Sequence, residues 1–138
     1  IMGSGSTVAA VMDSLGLSNT LLGVDVVEDG QVIASDVTAA QLLSLCEHHP
    51  AQLVITLIGG QGHVLGRGNQ QLSPPLIKHL GMENIHIIAT KTKLKKLAGR
   101  PLLVDSGDPQ LDIDLAGLVP VICGFHDVVL YPLGNSQA

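Results

Sequence analysis

The segment Leu53-Val54-Ile55-Thr56-Leu57-Ile58 is a near-continuous apolar run that ends abruptly at Gly59-Gly60. Such a run suits a strand buried on both faces, and strands of that kind belong to parallel sheets covered by helices. Asn84–Ala89 is a second run of the same type, and Leu102-Leu103-Val104 a shorter third. Between them lie segments of helical period. Residues 8, 11, 12 and 15 share one face, with Ser6 or Thr7 as cap and Gly16 as stop. Asp36 or Thr38 caps a helix through about Glu47. Pro74-Pro75 opens another that ends near Gly81, and Thr90 or Thr92 opens a short basic one ending at Gly99. The Ser106-Gly107-Asp108-Pro109 turn leads into a helix through Ala116. Leu21–Val27 reads as a strand, Glu28-Asp29-Gly30 as a hairpin turn, and Gln31–Ala34 as its return. Val119–Cys123 and Val128–Leu133 close the chain as two strands around a Gly124-Phe125-His126-Asp127 turn. Alternation of strand and helix predicts one α/β domain over residues 1–138, a layered αβα fold with a mostly parallel or mixed sheet and some antiparallel edge strands.

Composition supports burial and removes several function classes. Apolar residues make up 46% of the 138, with one Phe and one Tyr, so the core is aliphatic. Base-stacking nucleic-acid modules need more aromatic side chains than this. The formal net charge of −5 excludes a chain that coats nucleic acid. No apolar run approaches the ~18–20 residues of a membrane span. Cys46 and Cys123 have no metal-ligand or redox spacing, as expected of buried thiols in a cytoplasmic protein. The histidines show no zinc spacing.

Charge is segregated along the chain. All seven basic residues (Arg67, Lys78, Lys91, Lys93, Lys95, Lys96, Arg100) fall between positions 67 and 100, beside one acid, Glu83. Residues 1–66 carry six acids and no base, and residues 101–138 five acids and no base. Either the middle third meets an anionic partner, or the ends neutralise it in the fold.

Three polar clusters follow expected strands, where α/β folds collect ligands. Gly3-Ser4-Gly5-Ser6-Thr7 sets small residues, hydroxyls and free amides at a helix N-terminus, an arrangement suited to phosphate. It is not a Walker A loop, because no Lys follows the last Gly. The segment Gly59-Gly60-Gln61-Gly62 runs on through His63 and Gly66 to Arg67-Gly68-Asn69-Gln70-Gln71, a long loop with five glycines in ten residues. Arg67 offers a bidentate grip on phosphate, and Asn69, Gln70 and Gln71 offer groups that read hydroxyls or a ring amide. The third cluster is Thr90-Lys91-Thr92-Lys93, in which Lys91 is placed to share a phosphate with Arg67, while the other lysines read as a solvated helix face. Asp25, Asp105 and Asp108 stand near strand ends as candidate contacts for ribose hydroxyls or Mg²⁺, or as turn and cap residues. No catalytic residue is identifiable.

Residues 3–27 and 53–71 resemble the ATP-NAD kinase-like proteins of the AcoX type. The matching pieces are Gly3-Ser4-Gly5-Ser6-Thr7, Leu22-Gly23-Val24-Asp25-Val26-Val27, and Ile58-Gly59-Gly60-Gln61-Gly62 running to Gly66-Arg67-Gly68-Asn69-Gln70-Gln71. Gly99-Arg100-Pro101-Leu102, Asp105-Ser106-Gly107-Asp108 and Val121-Ile122-Cys123-Gly124 continue the likeness. The resemblance is to the C-terminal half of such proteins. It implies a fragment that lacks the N-terminal domain carrying the family's Gly-Gly-Asp-Gly motif; Gln61 stands where the acid of that motif would be. It further implies ATP-dependent phosphorylation of NAD or a related substrate by the full-length protein, with NAD or ATP and Mg²⁺ as its ligands. Implied partners are a small phosphorylated ligand, the protein's own N-terminal domain and further copies in a homo-oligomer. The first loop is also similar to the phosphate loop of ribose-5-phosphate isomerases. That alternative makes the chain a phosphosugar enzyme with Asp25 or His63 as base. A third reading is a non-catalytic oligomerisation domain.

Overall fold

The computed structural model describes residues 1–20, 23–66 and 69–135. Helix α1 (Ser6–Ser14) follows the first glycine loop. Strands β1 (Val26–Glu28) and β2 (Gln31–Ala34) form an antiparallel hairpin, with Asp29 and Gly30 both at positive φ as the two-residue turn expected there. Leu21 and Leu22, the start of the expected Leu21–Val27 strand, lie outside the described residues. Helix α2 (Ala39–His48) begins with a capping box: the Thr38 hydroxyl accepts from the Gln41 N–H, and the Gln41 side chain accepts from the Thr38 N–H.

The remaining elements build the main sheet. They are β3 (Leu53–Ile55), β4 (His63–Leu65), α3 (Pro74–Leu80), β5 (Ile85–Ile88), α4 (Lys91–Lys95), β6 (Leu102–Val104), α5 (Pro109–Leu115), β7 (Gly117–Gly124) and β8 (Asp127–Asn135). A 3₁₀ turn (Met82–Asn84) precedes β5. The strand order is β3-β5-β7-β8-β6-β4. Every neighbouring pair is parallel except β7 and β8, which form an antiparallel hairpin at the centre of the sheet. The antiparallel pair expected at an edge is thus the seam between two parallel halves. The segment Ile1–Gly3 is also extended: Met2 bridges Asp25 on one side and Val54 on the other.

Two further departures from the sequence reading matter for the site. The apolar run 53–58 is ladder strand only to Ile55, and Ile58 then hydrogen-bonds back to His63 across a tight turn. The long loop expected after it contains β4, all three residues of which are buried. Three residues flanked by glycines give no readable period, which is why the pattern conceals a strand. The core is aliphatic throughout, running from Val24 and Leu42 through Leu53, Ile55, Leu76 and Ile87 to Leu102, Val104 and Val121. Among the described residues, no helix is long and apolar enough to cross a membrane.

Candidate functional site: a cavity at the first glycine loop

Strand direction sorts the predicted clusters. Because β7 and β8 run oppositely, β3 and β5 end at one end of the sheet and β4 and β6 at the other. Gly59-Gly60, after β3, therefore lies with the first loop and the start of α4. Gly66, Asn69 and Gln70 lie after β4, beside the segment that follows β6. A small recess of about 200 Å³ there is lined by Gly66, Gln70, Leu72, Asp105, Ser106 and Gly107. The second cluster is one stretch of sequence divided between two ends of the sheet. Arg67 and Gly68 fall outside the described residues.

The larger cavity, about 700 Å³, is at the β3 end. It is lined by Ser4, Gly5, Ser6, Leu57, Ile58, Gly59, Gly60, Lys93, Lys96 and Leu97. Its polar end is the start of α1. Gly5, not Ser6 or Thr7, occupies the N-cap position, and no side chain caps the helix there. The first-turn N–H groups and the positive end of the helix dipole are left for another acceptor. Gly5 has φ +112, and a Cβ at this position would come within 2.8 Å of Thr56 Cγ2, so the loop is pressed against the strand end behind it. The hydroxyls of Ser6 and Thr7 instead face α4. Lys93 Nζ donates to Ser6 Oγ at 3.3 Å and to Thr7 Oγ1 at 3.4 Å. Lys96 adds a second ammonium, and Leu57, Ile58 and Leu97 form an apolar wall. The arrangement offers two positive side chains, backbone amides and hydroxyls at one end, and an apolar surface at the other. It suits a molecule with a phosphate or other anion on a less polar body.

Lys93 does not stand out in the sequence because four other basic residues (Lys91, Lys95, Lys96 and Arg100) lie within ten positions of it, and its period matches a solvated face. Thr90 caps α4 through the Lys93 N–H, and this cap sets the register that turns Lys93 toward α1. Lys91, the residue favoured from sequence, points elsewhere and pairs with Asp127 at 2.8 Å, tying α4 to the tip of the β7–β8 hairpin. That carboxylate raises the Lys91 pKa above its ordinary value, by hydrogen bonding first and charge second.

Other candidates have structural tasks. The Asn69 carboxamide is 1% exposed; its Oδ1 accepts from the Gly66 N–H at 2.9 Å and its Nδ2 donates to the Val64 carbonyl at 3.0 Å. Asp25 is buried and accepts from the Thr20 N–H, the Thr20 hydroxyl and the Asp36 N–H, so it holds the turns around β1. Asp108 caps α5 through the Gln110 and Leu111 N–H groups and pairs with Lys78 at 2.7 Å. The Lys78 ammonium, with the helix amides, lowers the Asp108 pKa below the usual carboxylate range. Asp105 closes β6, where its N–H donates to the Leu65 carbonyl. Gln61 is exposed, and Gly62 packs its backbone against Leu97. The described residues do not assemble a metal site of their own. Asp25 and Asp108 are engaged in the contacts just given, and the described residues hold no group of three His, Cys, Asp or Glu able to bind an ion. His63 is buried in β4 and does not line the cavity, so neither base of the isomerase alternative stands there.

The charge segregation has two outcomes at once. Lys78 and Lys91 are neutralised by acids of the last third, while Lys93 and Lys96 remain at the cavity.

Residues 1–133 match the ATP-NAD kinase C-terminal domain family. The chain belongs to that family. This agrees with the resemblance drawn from the glycine loops, and it covers the cavity, both sheet halves and most of the central hairpin. No curated protein and no solved structure matches the chain.

Proposed function

We propose that this ATP-NAD kinase C-terminal domain is a nucleotide-binding unit that holds a phosphate group of NAD, ATP or a related small ligand at the start of α1. The reading is carried by Lys93, which crosses from α4 to the Ser6 and Thr7 hydroxyls at the mouth of the cavity. A long ammonium side chain placed over an uncapped helix start concentrates positive potential where an anion also finds amide and hydroxyl donors. The apolar wall gives a nucleoside or similar body a place to rest, and the volume lies in the range of small-molecule sites. We assign binding, not phosphoryl transfer, to this chain. The cavity lining contains no carboxylate or imidazole among the described residues, whereas kinases commonly use a carboxylate to take the proton of the accepting hydroxyl. In the whole protein the expected activity is ATP-dependent phosphorylation of NAD or a related substrate in the cytoplasm.

Thermal unfolding of the chain with NAD, ATP or ribose 5-phosphate tests the reading, since a ligand that binds the native state raises stability by mass action. We expect a nucleotide to raise the melting temperature, less so as salt is added. Lys93→Ala should weaken binding about tenfold, the scale of one lost charge-assisted contact, and Lys93→Arg should recover part of it. A flat response to all three compounds into the millimolar range would overturn the proposal. A response to ribose 5-phosphate alone would favour the phosphosugar alternative.

A further inference from the structure

The turn Gly59-Gly60-Gln61-Gly62, between β3 and β4, carries three glycines, and each stands in a different environment. Gly59 has φ +72, in the left-handed region that side chains disfavour. Gly62 has φ +87, and a Cβ there would stand 2.9 Å from Leu97 Cδ2, so it must be small as well as left-handed. Gly60 has neither reason. Its φ lies outside the left-handed region, and a Cβ built on it meets no atom within 4 Å. Among the described glycines it alone combines an ordinary φ with open space. Glycine at such a position costs stability, because it loses more backbone freedom on folding than alanine does. Nothing in the described chain offsets that cost, and local choices of this kind belong to functional sites.

Gly60 lines the large cavity together with Leu57, Ile58 and Gly59, so one continuous stretch of chain passes from the apolar wall to a bare backbone edge. We propose that Gly60 is a specificity-determining residue. Its missing side chain leaves room for the body of the ligand, which passes against the Gly59-Gly60 backbone while its phosphate is held at the start of α1. This rests on the reading of the cavity as a nucleotide site and adds how that site selects by size. The volume, about 700 Å³, is more than a lone phosphate fills, so a second part of the ligand needs a surface to lie on. A backbone edge without side chains lets a flat group approach closely, and the neighbouring Leu57 and Ile58 continue the same surface as apolar contact. Lys93 and Gly60 then have separate tasks: the ammonium selects the anion, and the bare edge selects what the anion is attached to.

Calorimetric titration of the chain with ATP and with NAD, beside urea unfolding without ligand, tests this. Gly60→Ala should unfold at the parent's midpoint or ~0.2–0.5 M above it, because alanine restricts the unfolded chain and meets nothing in the folded one. It should nevertheless weaken the nucleotide that the parent binds by about two- to fivefold, and Gly60→Leu by at least about tenfold, as added volume competes with the ligand. Where Gly60→Leu lowers the midpoint, the alanine variant carries the test. Gly124→Ala makes the same change at an ordinary φ outside the cavity, 3.8 Å from Asp127 Cβ, and should leave affinity unchanged. Gly5→Ala should lower the midpoint, since Gly5 has φ +112 and its Cβ would stand 2.8 Å from Thr56 Cγ2. A parent that binds neither ATP nor NAD sinks the nucleotide reading and this inference with it. A parent that binds, with Gly60 variants of equal affinity, overturns the role of Gly60 and leaves the nucleotide reading standing. A midpoint loss in Gly60→Ala as large as that in Gly5→Ala also overturns it, because the fold would then require the glycine. So does an equal loss of affinity in Gly124→Ala.

Discussion

Asn69 separates a ligand-reading role from a structural one, and the two predict opposite measurements. Its side chain is the partner of two buried backbone groups, the Gly66 N–H and the Val64 carbonyl. Asn69→Ala strips both. A buried polar group left without a partner costs ~1–3 kcal/mol, so the pair costs about 2–5 kcal/mol, with a smaller addition for the lost side-chain volume. For a domain of this size the urea m value is about 1–3 kcal/mol/M, so the unfolding midpoint should fall by ~1–2 M with m unchanged. Asn69→Asp keeps the acceptor for Gly66 but sets a carboxylate oxygen against the Val64 carbonyl, so at neutral pH it should be no more stable than the alanine variant. If Asn69 served chiefly to read a ligand, Asn69→Ala would lose affinity and keep its midpoint. A midpoint within ~0.3 M of the parent would refute the structural assignment.

Three further outcomes follow from single contacts. Gly66 has φ +105, and a Cβ built there falls 1.7 Å from the Asp105 carbonyl oxygen, so Gly66→Ala must move backbone on β4 or β6. We expect a loss of more than about 3 kcal/mol or failure to accumulate folded chain, and a melting curve matching the parent would refute the close approach. Thr56 is fully buried and its Oγ1 has no hydrogen-bond partner among the described residues, so Thr56→Val, of the same shape, should be neutral or stabilising by about 1 kcal/mol in urea unfolding. A marked loss of stability would mean the hydroxyl is in use. Asp108 has its pKa lowered in the folded chain, chiefly by Lys78, so its contribution is present above the ordinary carboxylate pKa and disappears as pH falls through the folded value. Comparing Lys78→Met with the parent should therefore show a stability gap that is constant above about pH 5 and closes below about pH 4. A gap that does not change with pH would refute this pairing as its source.

Much of the local structure is legible because its causes are local. Thr38 with Gln41, Pro74 after Ser73, and Asp108 before Pro109 mark helix starts within one turn of chain, and the Asp29-Gly30 pair marks its hairpin. The family could also be read, because the glycine-rich strings are contiguous. What escaped the sequence was non-local. Strand β4 has three residues, and its burial comes from pairing with β6, some forty positions later. Lys91 and Lys93 are alike by composition; a cap and a neighbouring helix decide which meets the Ser6 and Thr7 hydroxyls and which meets Asp127.

By itself the sequence determined an aliphatic α/β chain, the order of most of its elements and glycine loops rich in donors. Those properties rest on side-chain volume, period and backbone freedom, which act over a few residues. Only the tertiary structure decided that the hairpin of β7 and β8 sits at the centre and reverses the sheet's direction. That reversal sends the two ends of one glycine-rich stretch to opposite ends of the sheet. It leaves the first loop, Gly59-Gly60 and Lys93 around one cavity and turns Asn69 inward as a brace. Chain direction in a sheet is set by the pairing of distant strands, so the pairing separates polar groups that stand only a few residues apart in the chain.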